Sequence, residues 1–209
     1  MNLNYGTKEL GGYNKLMNLI FMRHGEASDN VKELISDKEI YWSILTDKGV
    51  DTVKESIMYL PSDIDVAYVS PLPRTIQTAH YVYEKYSSIS FLIDDRIREI
   101  QYGKYSHSKN NEELDEVRRK QIAGDYFIRF GDYGENKFDI EMRLSKFLID
   151  ISNTDYKNVL IISHGSVISY MKRLLNIKSS HIQKGKVEIF NDVKFDYLLD
   201  YFKYLNEIK

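Results

Sequence analysis

The chain has 209 residues, with 29 Lys and Arg against 31 Asp and Glu, 43% hydrophobic residues and no cysteine. The balance suits one compact domain with a real core, and a net charge of −2 gives no overall field to draw the protein onto nucleic acid or an anionic membrane. Absence of cysteine excludes disulfides, thiol nucleophiles and thiolate zinc sites, so any anion site must be local and any covalent chemistry must use another nucleophile.

Residues 1–18 mix Asn, Gly, Tyr and Lys without periodicity and read as a loose N-terminal arm before a single domain over 19–209. Leu19 to Met22 is an apolar run too short for a helix, ending abruptly in Arg23-His24-Gly25, as a buried strand does where it meets solvent. Val66 to Val69, Ser90 to Ile93 and Val159 to Ile162 repeat the pattern and complete the expected sheet. Thr46 is placed to cap a helix with Val50, Val53, Ile57 and Leu60 inward, closed by Pro61. A second helix follows Arg74, with Ile76, Ala79 and Tyr83 expected on its buried side. Residues 100–138 break the rhythm as a polar excursion over the active edge, with a helix near Glu112 to Ile122. Ile140, Leu144, Phe147, Leu148 and Ile151 mark an amphipathic helix, Val167, Met171, Leu174 and Leu175 another, and Val193, Tyr197, Tyr201 and Leu205 a last one. Short apolar runs alternating with helices predict an α/β three-layer sandwich around a mainly parallel sheet, with ligands at the carboxyl ends of the strands.

Those strand ends carry Arg23 and His24, Arg74, Glu99, and His164. Each alone has an ordinary reading: a hydrogen-bonded histidine, an arginine in a salt bridge, or Glu99 paired with Arg96 or Arg98. Two His-Gly pairs at two strand ends, one preceded by Arg, favour a shared site. His80, His107 and His181 read as structural or solvated. No metalloprotease helix, calcium loop, phosphate-binding glycine loop or dinucleotide fingerprint occurs, so neither a metal nor an organic cofactor is implied. The longest apolar runs are far shorter than a bilayer span, and residues 1–18 hold no signal-like block, which predicts a cytoplasmic protein with no membrane contact.

Residues 19–26, Leu-Ile-Phe-Met-Arg-His-Gly-Glu, resemble the signature of the histidine phosphatase superfamily, also called phosphoglycerate mutase-like. The likeness continues through Asn30, Leu45 to Gly49, Ser70 to Ala79, Glu99, Gly103, Gly134-Glu135 with Asp139 and Arg143, and Val159 to Gly165. Ala27 stands where many members have Ser or Thr, and Asn136 where Ser is usual.

The resemblance implies a histidine acid phosphatase-type phosphomonoesterase, on its phosphatase branch, in which His24 becomes a phosphohistidine. Arg23, Arg74 and His164 would join it in catalysis with Glu99 as proton donor, and Arg23, Asn30, Arg74, His164 and Gly165 would bind the substrate. Gly25 would lend its carbonyl to fix the His24 tautomer. The chemistry agrees: arginine forks grip phosphate oxygens, and adjacent guanidinium groups keep His24 neutral and nucleophilic. The expected partner is a small phosphorylated metabolite or a phosphopeptide, with no nucleic acid; oligomeric state is left open, a dimer included. Two alternatives stand beside this: a 2,3-bisphosphoglycerate-dependent phosphoglycerate mutase, which calls for a longer basic lid than Lys104, Lys109, Arg118, Arg119, Lys120 and Arg129 supply, and a catalytically silent phosphate-binding scaffold. Tyr102, Tyr105, Tyr126 and Phe127 either line a specificity pocket or pack.

Overall fold

The structure, a computed structural model, describes residues 16–37, 42–178 and 180–208. Five strands form one sheet in the order β3-β2-β4-β1-β5, with β1 Met17–Arg23, β2 Val66–Val69, β3 Ser90–Ile93, β4 Asn158–Ser163 and β5 Val187–Val193. The first four run parallel, and β5 lies antiparallel against β1. The three-layer expectation is met, with a sheet that is mixed because of that added edge strand.

The central pair explains itself from sequence. Every residue of β4 is buried, as is all of β1 except Asn18 and Arg23, which are partly so, because helices cover both faces. Alternation along the strands divides the core in two. Leu19, Phe21, Val159 and Ile161 face the side covered by α5 Lys137–Ser152, α6 Gly165–Leu174 and α7 Asp196–Glu207. Ile20, Met22, Leu160 and Ile162 face the side covered by α2 Asp47–Ile57 and α3 Pro73–Lys85. A four-residue turn of helix, α1 Ser28–Val31, precedes α2, and α4 Glu112–Ile122 lies in the excursion as expected. Thr46 caps α2 by accepting from Gly49 N at 3.0 Å.

Four expectations are corrected. Met17 and Asn18 belong to β1, the Asn18 amide donating to Asn158 Oδ1 at 2.7 Å, so the arm ends earlier than residue 18; residues 1–15 lie outside the described residues. On α3 only Ala79 of the three expected inward residues is buried. Ile76 and Tyr83 are exposed, and the inner face is instead Arg74, Thr75, Thr78, Ala79 and Val82, because the start of this helix faces a polar site. Strand β5 was not expected: Glu188, Asn191 and Asp192 dilute its alternation, and Asp192 adopts a left-handed φ of 54°. Val193 therefore ends a strand, and α7 buries Leu198 and Leu205 while Tyr197 is exposed.

Candidate active site

Parallel register sets the site. Arg23 is the partner of Ser163, so the next residues, His24 and His164, leave neighbouring strands side by side with ring centroids 5.1 Å apart. His24 N donates to Ser163 O at 3.1 Å, which continues the ladder one step past the strand. Strand β2 ends beside them, and α3 opens after it with Pro73 in the first turn, where a missing N–H costs nothing, followed by Arg74. Glu99 follows a 3₁₀ turn at Asp95–Ile97.

The His24 ring is buried, and its Nδ1 lies 2.7 Å from Gly25 O. A carbonyl only accepts, so the proton sits on Nδ1 and Nε2 is unprotonated, its lone pair facing the site. Arg74 Nε donates to that Nε2 at 3.3 Å. Burial first, then the Arg74 and Arg23 guanidiniums, holds His24 well below the usual histidine pKa, so it is neutral at pH 7. His164 is lowered in the same way, chiefly by burial and by Arg74. Its Nε2 sits 2.7 Å from Ser70 Oγ. If that hydroxyl donates, a proton on Nδ1 faces the site.

Arg74 is fully buried, and burial pulls its pKa down against the opposing charges of Asp29, Glu99 and Asp37. Its Nη1 and Nη2, Arg23 Nε and His164 Nδ1 are buried without a hydrogen-bond partner among the described residues. Buried donors are rarely left so. The three guanidinium nitrogens and the Nδ1 edge of His164, beside the His24 imidazole, form a cradle suited to a tetrahedral oxyanion.

Glu99 does not pair with Arg96 or Arg98. Arg96 bonds Asp94 at 2.7 Å and also Asp150, while Arg98 bonds Asp95 at 3.2 Å and Glu135 at 3.3 Å. Glu99 turns inward, Oε1 accepting from Ile100 N at 2.9 Å and Oε2 lying 3.9 Å from His164 Nδ1. Burial raises its pKa, with Arg74 the strongest opposing influence. Asn30 reaches the wall of the same cavity, but its amide serves its own loop, accepting from Ala27 N and donating to Asp29, each at 3.1 Å. Gly165 opens α6 beneath Arg23, and an added Cβ there would stand 2.9 Å from the Arg23 Cζ. Contacts link His24, Arg74, His164 and Glu99, Gly165 lies against Arg23, and Asn30 shares a cavity wall with Glu99.

Supporting groups carried weaker signals. Asp29 accepts from Asn30, from Ser36 at 2.5 Å and from Ser43. Glu135 accepts from Arg143 at 2.6 Å and from Gln101 N at 2.9 Å, which fastens the excursion to α5. Asn136, one of the two departures, does the work of a capping serine by accepting from Asp139 N at 2.8 Å. Gly103 has a φ of 55°, and a Cβ there would meet Phe130 O at 2.3 Å, so the excursion can cross itself only at glycine. His181, read from sequence as structural or solvated, reaches Arg23 Nη1 at 3.0 Å.

Cavities of about 270 and 290 Å³ flank the cradle, sharing Tyr102 and Arg118 as a divider. Of the four aromatic candidates only Tyr102 lines them. Tyr105 packs in the core, Tyr126 lines a separate cavity with Tyr197 and Tyr201, and Phe127 is exposed against Phe138. Among the described residues no cluster of three or more His, Asp or Glu is arranged to hold a metal, and no helix is long and apolar enough to cross a membrane.

A mainly parallel α/β sandwich with paired histidines at its central strand ends, beside a half-buried Arg23 and a fully buried Arg74, defines a phosphate-handling class of protein. The chain belongs to the histidine phosphatase superfamily (branch 1), whose sequence profile matches residues 19–197. It is 33% identical over 106 residues to a 2,3-bisphosphoglycerate-dependent phosphoglycerate mutase of Thermoplasma acidophilum, a match spanning about half of each protein, 50% of this chain and 52% of that one. It is 25% identical over 166 residues to a Hydrogenobacter thermophilus protein carrying a phosphoserine phosphatase name, covering 75% of this chain and 77% of the relative. Among solved structures, the alpha-ribazole phosphatase of Shigella flexneri superposes with a TM-score of 0.69 at 22% identity, over 85% of this chain and 95% of the other. The phosphoserine phosphatase of Entamoeba histolytica, solved with 3-phosphoglyceric acid, gives 0.68 at 20% identity over 88% and 100%. At such identities the superpositions establish the fold.

Proposed function

We propose that the protein is a phosphomonoester hydrolase that works through a phosphohistidine at His24, acting on a small phosphorylated metabolite or a phosphopeptide. The observation that carries this reading is the set of unpartnered buried nitrogens of Arg74, Arg23 and His164 beside the unprotonated Nε2 of His24. His24 Nε2 attacks phosphorus, the ester P–O bond breaks, and Glu99 gives its proton to the leaving alkoxide. In the second step the Glu99 carboxylate takes a proton from water, whose oxygen displaces the phosphate from His24. The raised Glu99 pKa suits the first role, and its nearness to Arg74 keeps the carboxylate accessible for the second. Arg23, Arg74 and His164 hold the nonbridging oxygens and balance charge gathering there. Asn30 lines the cavity beside Glu99, and Gly165 lets Arg23 and His181 pack close to the start of α6.

Turnover of an aryl phosphate tests this, with acid-labile phosphate trapped on the wild type and absent from His24→Ala. Glu99→Gln should lower kcat by roughly 10²- to 10⁴-fold for alkyl phosphates, and less for aryl phosphates whose leaving groups need little protonation. No turnover with any phosphomonoester would favour the silent scaffold. The half-length likeness to a mutase supports a second reading. Incubation with 3-phosphoglycerate and a trace of the bisphosphate separates the two: isomer exchange supports the mutase, phosphate release the hydrolase.

A further inference from the structure

The segment after α6 returns over the site and is fastened to the end of β1. Arg23 N donates to Lys186 O at 3.1 Å, Gly185 N donates to His24 O at 2.9 Å, and Arg23 Nη1 donates to Ile182 O at 3.0 Å. Those bonds set His181 beside Arg23, where Nη1 makes its second contact, to His181 Nε2 at 3.0 Å. The two hydrogens of Nη1 are then both used, and the Nε edge of the guanidinium is left turned into the cradle.

The hydrogen-bond partners fix the protonation state of this imidazole. Arginine only donates, so His181 Nε2 must accept. Ser169 Oγ spends its single hydrogen on Gly165 O at 2.9 Å, so it accepts from His181 Nδ1 at 3.2 Å. Only neutral His181 with its proton on Nδ1 satisfies both contacts. The arrangement also needs a glycine beneath it: a Cβ on Gly165 would stand 2.7 Å from His181 Cε1 and Nε2.

We infer that His181 is a positioning residue for Arg23: its neutral imidazole holds the guanidinium turned toward phosphate, and protonation releases it. This rests on the phosphatase reading of the site. A proton on Nε2 would face an arginine N–H, replacing a hydrogen bond with like-charge repulsion. The groups facing His181 are Arg23 of β1, Lys172 of α6, Glu188 of β5 and, around the shared cavity, Tyr102, Arg118 of α4 and Arg173 of α6. Lys172 is paired with Glu188 at 2.8 Å. Burial, Arg23 and Lys172 favour the neutral imidazole against the single opposing carboxylate. His181 is exposed, so protons from solvent reach the ring.

The test uses aryl phosphate kinetics of the wild type, His181→Leu and His181→Gln between about pH 5 and 8, the range in which histidine changes charge. Leucine removes the acceptor, and the Gln amide oxygen reaches the place of Nε2. Expected are a roughly fivefold to tenfold higher KM with a smaller change in kcat for His181→Leu, and recovery of most of that loss by His181→Gln. The ratio of wild-type to His181→Gln KM should rise in acid, since other titrations, including that of the substrate, cancel in the ratio. Equal KM for all three, equal impairment of both variants, or a flat ratio would each overturn the inference. The Arg23 side-chain ¹⁵N signal of ligand-free protein, assigned by its loss in Arg23→Lys, supplies a readout independent of turnover. It should titrate with the His181 midpoint, and an independent midpoint overturns the tether even if the enzyme is active. A shared midpoint in a protein that hydrolyses nothing would instead uphold the tether and sink the phosphatase reading.

Discussion

Replacing Arg74 with Met should make the protein more stable and nearly inactive. The side chain is fully buried, one nitrogen is spent on His24, and both terminal nitrogens lack partners. Burial outweighs Asp29, Glu99 and Asp37 in setting the direction of its pKa, so the folded protein holds this charge at a net cost. Methionine has a similar length and no charge, and relief of that cost should contribute about 0.5–2 kcal/mol, the range common for stabilising substitutions. For a chain of this size that corresponds to a Tm higher by about 1–8 °C. Two charge-assisted hydrogen bonds to phosphate are lost, worth about 1.5–3 kcal/mol each, which lowers kcat/KM by roughly 10²- to 10⁴-fold. Phosphate at ten times its Kd should raise the stability of the wild type by about 1.4 kcal/mol and leave the variant nearly unmoved. Thermal melts with and without phosphate, beside aryl phosphate kinetics, measure all three. A variant that melts lower than the wild type, or that keeps its phosphate-induced shift, would refute the reasoning that this cation is held against its own preference for the sake of an anion.

Gly165→Ala should raise KM more than it changes Tm, because its Cβ meets the side chains of His181 and Arg23 rather than backbone; kinetics and melting on one preparation check this. Asn136→Ala removes the α5 cap and should cost about 0.5–2 kcal/mol, largely recovered by Asn136→Ser, as read by denaturant unfolding. Stability should also fall in acid. His24 and His164 are held neutral in the folded state well below the unfolded value of 6.5, so as pH drops beneath 6.5 the unfolded chain binds protons that the folded one refuses. Glu99, raised above 4.5, opposes this with one proton against two. These three groups together contribute about 1.4 kcal/mol per pH unit where all are displaced, and denaturant titrations from pH 7 to about 5 should show the slope shrinking in His164→Gln.

The central strands were legible because burial on both faces demands continuous apolar runs, and Leu19–Met22 and Val159–Ile162 have no competing helical period. Their polar ends, together with the spacing around Arg74 and Glu99, placed the site before any contact was visible. The inner face of α3 was misread for the same physical reason that makes it useful. Apolar spacing finds the side of a helix that faces a core, whereas Arg74, Thr75 and Thr78 are buried facing a charged pocket. Strand β5 escaped because an edge strand with one solvent-facing side tolerates Glu188 and Asn191. His181 had no local signal, since its place depends on bonds to Arg23 and His24 from a segment more than 150 positions away in the chain.

The distribution of cost across the fold follows from this. Unpartnered nitrogens, a neutral histidine pair and a raised carboxyl each reduce folding stability, and all lie at the ends of β1 and β4 or, for Arg74 and Glu99, on elements hydrogen-bonded to those ends. Those two strands are also where the sheet is covered on both faces, by one core containing Leu19, Phe21, Val159 and Ile161 and another containing Ile20, Met22, Leu160 and Ile162. A fully buried side chain of this kind contributes about 1.5–3 kcal/mol, so either face offsets a single orphaned guanidinium several times over. A site placed on β3 or β5 would lack that reserve, because edge strands are partly exposed and bonded on one side only. Strained electrostatics and the stiffest backbone therefore coincide, and that coincidence lets the cradle keep its geometry when no anion is there to hold it.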